Sequence, residues 1–109
     1  MGQQETKPPA PQQTASDKMF DILIEFKLQA KTMRKEAAKA EAQEKVYITR
    51  LKEAMEKNNL DTAKILASDA IRKKTEARRL LLLSSKLDAV QARLQSAMTT
   101  QRVYLYLLS

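Results

Sequence analysis

The sequence predicts an all-α chain: a long antiparallel two-helix hairpin behind a disordered N-terminal leader. Three observations predict it. Helix breakers are confined to the start, because the only glycine is Gly2 and the only prolines are Pro8, Pro9 and Pro11. Turns and hairpins normally draw on those residues, so a chain without them from Gln12 onward favours long helices. Apolar residues recur at alternating spacings of three and four, the pattern of one helix lying along another. Finally, much of the 43% hydrophobic content is alanine and aromatics make up only 5%, which suits a narrow seam but not a thick globular core.

Residues 1–15, MGQQETKPPAPQQTA, are polar and Pro-rich and read as a disordered or polyproline-like leader. The hexamer MGQQET fits the N-myristoylation pattern, with Gly2 followed by Thr6, so Gly2 is a candidate lipidation site. One acyl chain anchors only marginally and needs a basic patch as a second signal. The hairpin domain is expected over 16–109. Ser16 and Asp17 are the N-cap candidates for a first helix over about 17–57. Its inward ladder is Leu23, Phe26, Ala30, Met33, Ala37, Ala40, Glu44, Tyr47, Leu51 and Ala54, broken only by Glu44.

The turn falls at Asn58-Asn59-Leu60-Asp61, since asparagine tolerates the left-handed conformation that ends a helix and Asp61 can cap the next one. The second helix is expected over about 62–103, with the ladder Leu66, Ala70, Lys73, Ala77, Leu80, Ser84, Leu87, Gln91, Leu94 and Met98. At 1.5 Å per residue each helix is roughly 60 Å long. A hairpin has one interface, and Leu81, Leu82, Val90 and Ala97 cannot all enter it. Self-assembly or a partner helix is therefore expected.

The formal net charge is +7, which points to an anionic partner. Lys27, Lys31, Lys35 and Lys39 recur every four residues, with Arg34 beside them. Like charges at that spacing repel by a few tenths of a kcal/mol per pair, and an anionic surface reverses the cost. The second half of the helix reads differently, with Glu41–Lys45 and Glu53–Lys57 spaced for i,i+4 ion pairs. On the second helix Arg72, Arg79, Lys86 and Arg93 recur every seven residues, outside the seam. Nucleic acid would also accept such stripes, but no aromatics are interleaved for base stacking and no recognised nucleic-acid module is present.

No catalytic site is expected. There is no histidine or cysteine, which removes the commonest general base, the thiol nucleophile and most zinc sites. One glycine cannot build a phosphate loop. Neither cofactor nor metal is expected. No apolar run approaches the roughly 20 residues that span a bilayer, and the start carries no cleavable-signal pattern. A lack of cysteine fits the reducing cytosol.

The run NNLDTAKILASDAIRKKTEARRLLLLSSKLDAVQARLQSAM, 58–98, resembles the charged multivesicular body proteins, subunits of the ESCRT-III membrane-remodelling machinery, and most of all their type-1 branch. The carriers are A-x-x-x-A-x-x-A-I-R-x-K from Ala63 to Lys74 and L-D-A-V-x-A-R-L-Q from Leu87 to Gln95. Upstream, MFDILIEFKLQAKTMRKEAAKAE, 19–41, is similar to the family's first helix.

The resemblance implies a basic hairpin that polymerises on anionic membranes with itself and sister subunits. Such filaments remodel or sever membrane in endosomal sorting and cytokinesis, and an AAA ATPase strips the subunits off. It also implies a cytoplasmic protein peripheral on endosomal membranes. Lys27, Lys31, Arg34, Lys35 and Lys39 become the membrane-facing candidates, and Arg72, Arg79, Lys86 and Arg93 would face membrane or a neighbouring subunit. The ending VYLYLLS does not follow the family's continuation, so an ATPase-docking motif would have to lie elsewhere. The Pro-rich leader departs from the type-1 branch, and a myristoyl signal belongs to another branch. The alternatives are a helical-hairpin adaptor or coiled-coil tether without remodelling activity and, less favoured, a basic nucleic-acid-binding protein.

Overall fold

The computed structural model of the protein describes residues 14–109. Gly2 and all of the expected leader except Thr14 and Ala15 lie outside the described residues. Two helices make up the described chain, α1 over Ala15–Glu56 and α2 over Leu60–Leu108, and they pack on each other as an antiparallel hairpin. The molecule extends 80 Å, 52 Å and 14 Å along its three principal axes, so it is long and thin in one direction only.

The first cap corrects the expectation of Ser16 or Asp17. Thr14 is the N-cap, in extended backbone, and Asp17 is the third helical residue. The Asp17 N–H donates to Thr14 Oγ1 at 3.2 Å, and the Thr14 N–H donates to Asp17 Oδ2 at 3.3 Å. This reciprocal box satisfies two amides that a helix start leaves without partners, and it places a carboxylate at the positive end of the helix dipole.

The turn is a Schellman motif. Asn58 adopts φ 56°, the left-handed region, as the position after the C-cap requires. The Asn58 N–H donates to the Met55 carbonyl at 3.0 Å and the Asn59 N–H to the Ala54 carbonyl at 2.8 Å. The cap of α2 is Asn59 rather than Asp61: its side-chain oxygen accepts from the Thr62 N–H at 3.4 Å. Asp61 sits in the first turn, where its charge still favours the dipole. At its other end α2 continues five residues past the expected 103, to Leu108, since no glycine or proline interrupts it.

The covered faces are built from small residues. Ala30, Ala37, Ala40 and Ala54 on α1, and Ala63, Ala70, Ala77 and Ser84 on α2, are the buried positions. Ala30 and Ala37 are fully inaccessible, at 0% exposure. Without long side chains between them the backbones can approach closely. Ser84 keeps its hydroxyl satisfied by donating to the Leu81 carbonyl at 2.7 Å. The larger ladder residues Leu23, Phe26, Met33, Tyr47 and Leu51 on α1, with Leu66, Leu80, Leu87 and Leu94 on α2, are half-buried along the same seam. With two helices and no third layer, none of them can be enclosed further.

Candidate functional site: the basic outer faces of the hairpin

Lys27, Lys31, Lys35 and Lys39 are exposed on α1 and take part in none of the ion pairs of the described residues. Four-residue spacing advances roughly 40° per step on a straight helix, so the row winds obliquely through an arc of roughly 120°. The same arc carries Phe20, Ile24 and Leu28, all exposed and one four-residue row nearer the helix start. Sequence reasoning misses these three, although their own i,i+4 spacing is the available signal. Between Ile24 and Val46 the carboxylates of α1, Glu25, Glu36, Glu41 and Glu44, all fall outside the arc by helical geometry. The outer side of α1 is therefore cationic towards the middle of the hairpin, whereas nearer the open end Phe20 shares the arc with Asp17 and Asp21.

Arg34 differs from its neighbours. Its guanidinium crosses to α2 and donates to Asp88 Oδ2 at 3.1 Å, with Oδ1 at 3.4 Å from the same nitrogen. Both groups are about half exposed, at 47% and 52%, so the pair contributes on the order of 0–1 kcal/mol. The register set by the seam brings the two groups together and leaves Arg34 a partly neutralised cation.

On α2, Arg72, Arg79, Lys86 and Arg93 are all exposed. Seven-residue spacing drifts only about 20° per step, so this stripe runs nearly straight along the helix. Arg72 is held by Asp69 at 3.1 Å, whereas Arg79, Lys86 and Arg93 are in none of the ion pairs of the described residues. Lys73, inside the seam ladder, pairs with Glu76 at 3.3 Å. Glu44 is half-buried and lines a cleft with Lys74 and Arg78 across the helix pair, so its carboxylate keeps access to water. The pairs Glu41–Lys45 and Glu53–Lys57, expected from their spacing, are not among the ion pairs of the described residues. Among those residues, too, no helix is long and apolar enough to cross a membrane.

No protein-family model matches the chain. Curated proteins do resemble it. ESCRT-related protein CHMP1B of Arabidopsis thaliana is 41% identical over 87 residues, 78% of this chain and 43% of that protein. Charged multivesicular body protein 1a of Danio rerio is 35% identical over 85 residues, again 78% of this chain and 43% of the relative. The chain belongs to the charged multivesicular body protein family. Within it, vacuolar protein-sorting-associated protein 46 of Saccharomyces cerevisiae is 42% identical over 70 residues, 64% of this chain and 34% of its own length. The chain thus spans about two fifths of the first two charged multivesicular body relatives.

Proposed function

We propose that this hairpin is an ESCRT-III-type subunit without enzymatic activity, which assembles with copies of itself and with sister subunits on anionic endosomal membrane. The observation that carries the reading is the outer arc of α1, where Lys27, Lys31, Lys35 and Lys39 stand exposed, outside the ion pairs of the described residues and with no carboxylate between them on the arc. Each basic residue near an anionic leaflet contributes on the order of 1 kcal/mol, so four together support reversible docking. Phe20, Ile24 and Leu28 on the same arc add apolar contact at the interface, the combination that interfacial helices use.

Assembly draws on α2. Leu82, Leu83, Val90, Ile65 and Ile71 remain exposed there, in two groups on either side of the basic stripe, and supply apolar area for neighbouring hairpins. Names of relatives place them in multivesicular bodies and in vacuolar protein sorting, which supports a role for this chain in the same transport. Filament growth and membrane scission in sorting and cytokinesis follow as parts of the same proposal, and removal by an AAA ATPase belongs to it only if a C-terminal docking motif exists elsewhere. Co-sedimentation with vesicles containing phosphatidylserine tests it. Binding should rise with the anionic lipid fraction and weaken as salt screens the lysines. Equal binding to neutral and anionic vesicles would remove the lysine arc from the account.

A further inference from the structure

We propose that the flank of the hairpin opposite the Arg34–Asp88 pair receives a second copy of this chain, related to the first by a two-fold axis parallel to the helices. The inference deepens the assembly reading above, since it names the surface and the arrangement through which two copies meet.

The seam leaves the hairpin two flanks. Arg34 and Asp88 each follow a ladder residue, Met33 and Leu87, and their 3.1 Å pair marks one flank. The cleft lined by Glu41, Ile48 and Lys74 lies on the same side, since these too follow ladder residues. Residues that precede Leu23, Ala30 and Ala37 on α1, or Ser84, Gln91 and Met98 on α2, fall on the opposite flank. There α1 presents Ile22, Gln29 and Glu36, and α2 presents Leu83, Val90 and Ala97. Ile22, Leu83 and Val90 are 42%, 40% and 43% exposed, so the seam covers part of each and leaves an apolar strip in solvent.

The two edges of this strip carry opposite charge. On the α1 edge stand Glu25 and Glu36, with the uncharged Gln29 and Thr32 between them. On the α2 edge stand Lys86 and Arg93, and Asp88, the one carboxylate of α2 beyond Glu76, is on the other flank. Glu25, Glu36, Lys86 and Arg93 are exposed and take part in none of the ion pairs of the described residues. The register seen at Arg34–Asp88 places Glu25 level with Arg93 and Glu36 level with Lys86, to within about one helical turn.

Charge selects both the occupant and its orientation. A two-fold axis along the rods lays α1 of each copy over α2 of the other, with both turns at one end. Glu25 then meets Arg93 of the second copy, Glu36 meets Lys86, and symmetry repeats each pair around the apolar strip. A two-fold axis across the rods lays like helix on like instead. Glu25 would then face Glu36 and Lys86 would face Arg93, an arrangement of repelling pairs. Anionic lipid would meet the two carboxylates of the α1 edge, so this flank suits a copy of the chain better than a membrane. The match ends at Lys39, which would stand level with Arg79 of the second copy, and the contact is therefore confined to the open half of the hairpin. Lys27, Lys31 and Lys35 of both copies stay uncovered.

Sedimentation velocity of the full chain without lipid should show a monomer–dimer equilibrium that weakens as salt rises. Glu36→Lys and Lys86→Glu should each weaken dimerisation about tenfold, with unchanged helical circular dichroism. Together, as Glu36→Lys/Lys86→Glu, they should restore most of it. Because the chain has no cysteine, a spin label on Lys57→Cys reads the orientation. Parallel copies bring the two turns within about 30 Å of each other, whereas antiparallel copies hold them about 80 Å apart. A monomer at every concentration, a dimer indifferent to the charge swap, or the long label distance would overturn the proposal. A strictly monomeric chain that still sediments with phosphatidylserine vesicles would remove the dimer and leave the lysine arc standing.

Discussion

At the scale of single residues, a few side chains decide where the rods begin, turn and begin again. Asn58 carries the turn through its left-handed backbone. Replacement by glycine, which meets no Cβ clash there, should leave stability unchanged or slightly raised. Replacement by valine should cost about 1–2 kcal/mol, read as a lower urea midpoint. Thr14→Ala removes half of the capping box and should cost about 1 kcal/mol, with fraying confined to the start of α1 in amide exchange. The turn is legible in the sequence because asparagine has a specific backbone tolerance and stands alone between two ladders. The caps are not, because Thr14, Ser16 and Asp17 crowd one turn, as do Asn59 and Asp61 at the next. Only the hydrogen bonds show which side chain reaches back.

At the scale of the helices, the seam tolerates little added volume. Ala37 is fully covered, so Ala37→Leu should force the rods apart and cost about 1–3 kcal/mol, seen in thermal melts. Every apolar α1 ladder position read from the sequence, Leu23 to Ala54, is buried or half-buried, because a three-four repeat leaves a rod one face to cover. Its outer face is less legible. Lysines spaced by four look like a flat row in the sequence but wind around the rod. Arg34 looks equivalent to them until the cross-helix register brings Asp88 to it. Phe20, Ile24 and Leu28 are left off the inward ladder, and only the arc they share on the outer side of α1 singles them out. Reversing Lys27, Lys31, Lys35 and Lys39 to glutamate should abolish vesicle sedimentation while helical content persists. Full binding by that variant would move the membrane face elsewhere on the molecule.

For the whole molecule, the balance between covered and uncovered surface governs behaviour. Two rods share one narrow, alanine-rich seam, and large side chains such as Leu28, Ile71, Leu82 and Tyr106 stay in solvent. The proposed joining of further copies at a charged surface would draw on this exposed apolar area and on the cations beside it. Fold class follows from composition because a breaker-free chain with a polar turn has few other solutions. The most direct test is electron microscopy of the purified chain with and without phosphatidylserine vesicles, across a range of protein concentrations. Ordered filaments coating or deforming the anionic vesicles, and missing from neutral ones, are the expected result. Bare vesicles beside a monomer at every concentration would contradict the account.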